Sequence, residues 1–223
     1  MQDIVTVTLA EITKKTLVIR DCGVAAFGDV LQLQHKLRRQ RRLGHIANTI
    51  IIVEHRPVIT LGARQSANRL LVSAEYLAGK GIDLVAVRRG GGVTAHNPGQ
   101  VVFYPILQLT DFETGISEYV RELEAVGIEL LSRFGLDAGR RKGMPGLWVD
   151  EKKIASIGVR LSKGVTYHGM AINIQNDLSI FENIVPCGLD GVQITSVLNE
   201  TGKLIPTEDV KQFLVSILRE HFS

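Results

Sequence analysis

The sequence predicts an α+β fold: one domain spanning residues 1–223, with a mixed or largely antiparallel sheet and a few helices packed on it. Three observations lead there. Short β-branched runs fall into two groups, and the second group is joined by connections short enough for hairpins. Only three stretches carry a long helical period, and no regular strand–helix–strand alternation accompanies them. No repeat, low-complexity tract or Pro/Ser-rich linker divides the chain, and 223 residues that are 45% hydrophobic can bury a single core.

The elements read in order as follows. A strand is expected from Thr16 to Arg20. A helix follows from Val24 to Leu43, where the rows Val24, Phe27, Leu31 and Val30, Leu33, Leu37 merge into one broad apolar face and Gly44 is placed to end it. Thr49 to Glu54, Pro57 to Leu61, Leu84 to Arg89 and Gln100 to Leu109 read as strands bounded by Gly, Pro or Asn. The second helix runs from Glu113 to Phe134 on Ile116, Val120, Leu123, Leu130 and Phe134, with Gly135 after it. Gly146 to Asp150, Lys153 to Leu161 and Val165 to Ile174 form the second strand group, with hairpin turns at Asp150-Glu151 and Ser162-Lys163-Gly164. The last helix carries Val210, Phe213, Leu214, Ile217 and Leu218, with Thr207 as its expected N-cap and Glu208 and Asp209 suited to its positive start.

Several function classes are excluded by composition. Cys22 and Cys187 stand alone, without ligand spacing, so neither a disulfide framework nor a metal site is indicated and a reducing compartment fits. Met1 to Leu9 lack a basic leader and a sustained apolar run, and nothing reaches the roughly 18 apolar residues of a membrane span. The expected location is the cytoplasm, or an organelle for a mature form. The net charge of +3 is unevenly spread, with Lys36, Arg38, Arg39, Arg41 and Arg42 in one cluster and Arg140, Arg141 and Lys142 in another. These read first as solvated helix ends and second as a surface for phosphates or an acidic protein. No aromatic interleaving or motif supports nucleic-acid binding.

Cys187 lies in Ile184-Val185-Pro186-Cys187-Gly188-Leu189, where Pro186 and Gly188 argue for a tight turn rather than a core position. A free thiol titrates near 8.5, so a nucleophilic cysteine needs help from a neighbour. Lys153 could supply it, as a cation favouring the thiolate or as a desolvated amine taking its proton, although a lysine opening a strand is ordinarily solvated and Lys152 is its rival. Three successive glycines, Gly90-Gly91-Gly92, leave main-chain N–H groups open to a ligand, with Arg88 and Arg89 before them and Thr94, His96 and Gln100 after. The plain alternative is a wide turn. Neither the dinucleotide fingerprint nor a P-loop is present. His168 reads either as a base, which would support a Cys/His mechanism, or as a residue that orients a neighbour.

Together these segments resemble the lipoyl(octanoyl) transferase family, which shares its fold with lipoate and biotin protein ligases. The resemblance rests on Glu54-His55-Arg56-Pro57-Val58-Ile59-Thr60-Leu61-Gly62, on Arg89 through Gln100, on Lys153, on His168-Gly169 and on Pro186-Cys187-Gly188, motifs spread over roughly the middle two-thirds of the chain. It implies Cys187 as the acyl-thioester nucleophile and Lys153 as the group that lowers its pKa. It further implies substrate binding by Arg89, Gly90, Gly91, Gly92, Val93, Thr94, Ala95 and His96, by Ser156, Ile157 and Gly158, and by Gly169, Met170 and Ala171. The implied reaction moves an octanoyl group from acyl carrier protein to a lysine of lipoyl domains, those of 2-oxoacid dehydrogenases and the glycine cleavage H protein, without ATP or another cofactor. Two departures from the family's R-G-G-x-V-T-Y-H-G-P-G-Q stand out: Ala95 replaces the aromatic residue, which is expected to reshape the acyl pocket, and Asn97 replaces glycine. The rival readings are an ATP-dependent lipoate- or biotin-type ligase, a cysteine hydrolase using His96 or His168, and a non-catalytic carrier-binding domain.

Overall fold

A computed structural model of the chain describes residues 16–188 and 190–223, and at Cys187 the backbone. The reading of Met1 to Leu9 lies outside those residues. In chain order the strands are β1 (Leu17–Ala25), β2 (Asn48–His55), β3 (Val58–Leu61), β4 (Asp83–Ala86), β5 (Thr94–His96), β6 (Gln100–Ile106), β7 (Gly139–Arg141), β8 (Met144–Val149), β9 (Lys152–Ser162) and β10 (Val165–Asn173). The helices are α1 (Phe27–Arg42), α2 (Ala74–Gly79), α3 (Ile116–Ser132), α4 (Val197–Thr201) and α5 (Thr207–Phe222), with short 3₁₀ turns between.

Seven strands form one sheet in the order β1-β2-β6-β10-β9-β8-β7, and β4-β3-β5 form a smaller one. The centre of the large sheet is buried on both faces, which explains why β2 is buried at every position and carries the unbroken apolar run Ile50–Val53 instead of alternating. Ile50, Ile52, Phe103, Met170 and Ile172 face Leu123, Leu130, Leu214 and Leu218 of α3 and α5. The alternate residues Ile51, Val53, Val102, Tyr104 and Ala171 face Val30 and Leu37 of α1. The mixed α+β reading holds, with one amendment. β1 pairs parallel to β2 across α1, and β3 pairs parallel to β4 across α2, so two strand–helix–strand units are present where the sequence showed no alternation. The two units differ so much in length, 16 against 6 helical residues, that they make no visible period.

Local differences have physical causes. Val24 belongs to β1 and is 53% exposed; α1 begins only at Phe27 and buries Phe27, Val30, Gln34, Leu37 and Arg41, while Leu31 and Leu33 are half-buried. α3 is rolled so that Tyr119, Leu123, Val126 and Leu130 form its centre and Ile116 stays exposed. Pro206, not Thr207, occupies the N-cap of α5, and the Thr207 hydroxyl instead accepts a 3.4 Å hydrogen bond from Gln175. The Leu84–Arg89 strand shortens to β4 because the Arg89 side chain turns inward to serve the glycine loop. The β9–β10 turn follows expectation: Lys163 and Gly164 both take positive φ, as a two-residue hairpin of the right twist requires.

Arg41 is the largest departure from the solvated-cluster reading. Its side chain is 7% exposed, pairs with the equally buried Asp111, and donates through Nε to Asn48 Oδ1 at 2.7 Å. Removing one partner strands a buried charge, so Arg41→Met is expected to cost about 3 to 5 kcal/mol. Urea unfolding checks this, and a midpoint unchanged from the parent would contradict it.

Candidate active site

A narrow cavity lies between the α1-facing surface of the large sheet and the small sheet that covers it. Its wall includes Phe27 from α1, Val102 and Tyr104 from β6, Ser156, Ile157 and Gly158 from β9, and His168 through Ala171 from β10. The lid side is the loop and strand carrying Arg89, Gly91, Gly92, Val93, Thr94 and His96. Ser156 pairs with Ala171 and Ala171 with Val102, so small and apolar residues form one row of its floor.

The glycine loop is held by Arg89, whose guanidinium donates to the Thr60 carbonyl and hydroxyl and to the carbonyls of Gly90 and Gly92 at 2.7 to 3.3 Å. Arg89 is thus a clamp on the loop as well as a wall residue. Glycine is required at two contacts here. A Cβ on Gly62 would stand 2.2 Å from Gly91 O, and one on Gly92 would stand 2.3 Å from Ala67 O. The motif from Glu54 to Gly62 therefore supports the site from behind. Glu54 accepts from Gly99 N–H at 2.9 Å and pairs with Lys211, Thr60 anchors Arg89, and Gly62 lets the loop approach.

Two residues of the expected binding set stand off the wall. Gly90 ties the loop to β9 by donating to Val159 O at 2.9 Å. Ala95 alternates with Thr94 and His96 on β5, so its methyl points the other way, into a cluster with Ile59, Leu77, Phe181 and Ile184. An aromatic residue there would press on that cluster rather than fill the cavity, which removes the expected effect of Ala95 on pocket shape. Asn97 also lies behind the wall, donating to Asp177 O at 2.8 Å and accepting from Asn176. Phe27, Val102 and Tyr104 are wall residues that sequence reasoning missed. Their only signal was apolar character, which every core position shares.

Lys153 is 3% exposed, its Nζ donates to Pro145 O at 2.9 Å, and the ammonium lies 5.3 Å from the centre of the Trp148 ring. A bulge puts it there. Leu147 pairs with Ala155 but Trp148 pairs with Lys153, so β9 carries one extra residue, and Ile154 and Ala155 both enter the α3–α5 core. The extra residue turns Lys153 to the sheet face opposite Ile154, the face of Ser156 and Gly158. Lys152, the rival, pairs with Glu200 at 2.6 Å.

The 3₁₀ turn Pro186–Gly188 carries the backbone of Cys187. On one side Gly188 packs on Ala67, where a Cβ would meet Ala67 Cα at 2.8 Å, and Ala67 in turn packs on Gly92 of the cavity wall. On the other side the chain reaches Gln193 and Thr195, which bracket Lys153: Lys153 N–H donates to Gln193 O at 2.8 Å and Thr195 N–H to Lys153 O at 2.9 Å. The turn is therefore anchored between the glycine loop and the strand of Lys153.

Two histidines, His96 and His168, line the cavity as neutral rings, and a third, His55, packs edge-on against His96. Burial pushes His55 down to about 4, its bond to the Ala25 carbonyl opposing. Burial and then the neighbouring His55 push His96 down to about 3. Burial and then Arg89 push His168 down to about 3. His168 takes φ +57°, and its N–H donates to Gln34 Oε1 at 2.8 Å, which explains the buried glutamine of α1. Among the described residues no cluster of His, Cys, Asp or Glu could hold a metal ion, and no helix is long and apolar enough to cross a membrane.

Residues 28–219 match the lipoyl protein ligase A/B catalytic domain. The chain belongs to that family. It is 37% identical over 202 residues to an octanoyltransferase of Maridesulfovibrio salexigens, covering 91% of this chain and 92% of the relative. A bipartite lipoate protein ligase from Thermoplasma acidophilum superposes with a TM-score of 0.69 over 92% of this chain and 82% of that one, at 16% identity. The biotin protein ligase of Aquifex aeolicus superposes with a TM-score of 0.52 over 93% of this chain and 69% of that one, at 15% identity. These two likenesses confirm the lipoate/biotin ligase-like fold.

Proposed function

We propose that this family member is an octanoyltransferase that carries the acyl group on Cys187. The observation that carries the reading is the joining of a narrow, apolar-floored slot to the backbone that flanks both Lys153 and the Cys187 turn, in a chain so similar to octanoyltransferases. In the first half-reaction the Cys187 thiolate attacks the octanoyl thioester and expels the carrier's phosphopantetheine thiol. In the second, a lysine of a lipoyl domain attacks the acyl-Cys187 thioester and leaves an amide. Exchange of one thioester for another followed by amide formation runs downhill, so no ATP is needed. Burial of most of an eight-carbon chain, at about 0.8 kcal/mol per methylene, would supply roughly 5 kcal/mol of binding. Gly91 and Gly92 are the loop residues we put forward to present N–H groups to the oxyanion, a contribution of roughly 3 to 4 kcal/mol per donor.

Octanoyl-acyl carrier protein is the proposed donor. Lipoyl domains of 2-oxoacid dehydrogenases and the glycine cleavage H protein are the proposed acceptors. Lys36, Arg38, Arg39, Arg42 and Lys163 line one groove that suits an acidic partner, whereas Arg140 and Arg141 are already paired with Glu124 and Glu151. A nucleophile that must stay a thiol suits a reducing compartment such as the cytoplasm.

The test is transfer to a lipoyl domain with octanoyl carrier protein as sole donor and no nucleotide. Amide product is expected; a requirement for free octanoate and ATP would contradict the reading. Lys153→Met keeps the buried stem and removes the ammonium. Loss of its pull on the thiol, which ordinarily titrates near 8.5, should slow acyl-enzyme formation at pH 7 by roughly eightfold to twenty-five-fold. Rapid-quench mass spectrometry reads that rate, and a normal rate would reject the role given to Lys153.

A further inference from the structure

One buried chain of hydrogen bonds runs from beside Lys153 to the cavity wall and has a fixed direction. The Thr195 carbonyl can only accept, so Asn173 turns its NH₂ toward it at 2.9 Å and its oxygen toward Gln100. Gln100 therefore presents its NH₂ to Asn173 Oδ1 at 2.8 Å, and the same NH₂ reaches the Ala95 carbonyl at 3.3 Å. That leaves Gln100 Oε1 for His96, whose Nδ1 must carry the proton to donate at 2.7 Å. Two backbone carbonyls thus dictate the tautomer of His96, and its Nε2 is a lone-pair acceptor.

The ring is fixed in position as well. It stacks on Phe27 at 6.1 Å and 9° and meets His55 edge-on at 5.7 Å, and His96 is a wall residue of the cavity. An ordinary core histidine needs one partner. Here Asn173, Gln100 and Thr195, all at most 4% exposed, converge to hold one proton on Nδ1, the nitrogen that faces Gln100, a residue outside the cavity wall. The acyl chain and thioester offer no N–H or O–H for the acceptor that results. The amine of the target lysine does.

Resting on the acyl-Cys187 reading, we infer that His96 Nε2 accepts a hydrogen bond from the N–H of the incoming lysine amine and orients that nitrogen toward the thioester carbon. The lysine enters as free amine, its extra proton left in water. The nitrogen bonds to the carbonyl carbon, the carbon–sulfur bond breaks, and one amine proton passes to the departing Cys187 sulfur. The N–H held by His96 remains in the amide, so His96 ends the turnover unchanged. Asn173 and Gln100 are positioning residues that act through it.

The two half-reactions separate this role from a structural one. Acyl-enzyme is formed with octanoyl carrier protein, isolated, and mixed with a lipoyl domain. His96→Phe is expected to slow transfer to the lysine by about tenfold to a hundredfold more than it slows acyl-enzyme formation, in kcat rather than in KM, with His96→Gln recovering part of that difference. Equal slowing of both steps, or of neither, would overturn the inference. Nitrogen-15 NMR of the parent protein tests the tautomer without any variant: an unprotonated Nε2 is expected, and a protonated one would overturn it. Absence of acyl-enzyme in the parent would instead defeat the Cys187 reading, a separable result.

Discussion

Cys187→Ala is expected to abolish octanoyl transfer while leaving the fold intact. The residue sits in a short 3₁₀ turn rather than in either face of the sheet, and the turn is held by neighbours: Gly188 N–H donates to Val185 O at 2.9 Å and Val185 N–H to Arg69 O at 3.0 Å. Alanine fits those bonds, so the melting temperature should stay within a few degrees of the parent's. Activity is a different matter. Without a sulfur the acyl group has no covalent station, and direct attack by the lysine on the carrier thioester would need a geometry arranged for a two-step path. Activity in the variant at more than about one part in a thousand of the parent's would show that the thiol is dispensable. The assay is lipoyl-domain mass shift against time, with circular dichroism confirming the fold.

The second large effect is on stability in mild acid. His55, His96 and His168 have folded values near 4, 3 and 3, against 6.5 for an unfolded histidine. For depressed histidines the unfolded chain takes up protons first as pH falls through 6.5, and the folded form loses ground until the folded values are reached. By pH 5 each group costs about 2 kcal/mol, or roughly 6 for the three, a large share of an ordinary domain's stability. His221 acts in the opposite sense. Burial lowers it but its bonds to Glu122 and Glu129 raise it on balance, so it supports the folded state below 6.5 and offsets part of the loss. The window from pH 7 to 5 isolates the histidines because unfolded carboxylates titrate below it. Urea unfolding at the two ends should show the drop, and equal stability at pH 7 and pH 5 would contradict it.

How far the sequence could be read depended on whether the signal was local. The three long helices announced themselves by period and the Ser162-Lys163-Gly164 turn by its chemistry, whereas α2 and α4, of 6 and 5 residues, are too short to show a period. The glycine loop was conspicuous because three unencumbered residues in a row are rare in a strand-rich region. Lys153 was legible as a candidate but its orientation was not, since a one-residue bulge at Ile154 decides which face it meets and nothing in the sequence marks a bulge. Ala95 was misjudged for the same reason. Its place in the alternation of β5 puts it outside the cavity, and a three-residue strand offers too few positions to establish a phase. Arg41 and Gln34 occupy apolar-face positions of α1 because their partners, Asp111 and the His168 amide, lie 70 and 134 residues away. Such pairings are set by the tertiary fold. The motif from Glu54 to Gly62 was visible as a pattern before any role was. Its residues act by bracing the loop rather than by facing the cavity.

The most direct measurement of the central claim is intact mass after brief mixing with octanoyl carrier protein, in the absence of a lipoyl domain, followed by peptide mapping. One octanoyl group on the protein, located at Cys187 and discharged when a lipoyl domain is added, is the predicted result. A protein that stays unmodified while it still transfers octanoyl to the lipoyl domain, or that carries the group on another residue, would contradict the account.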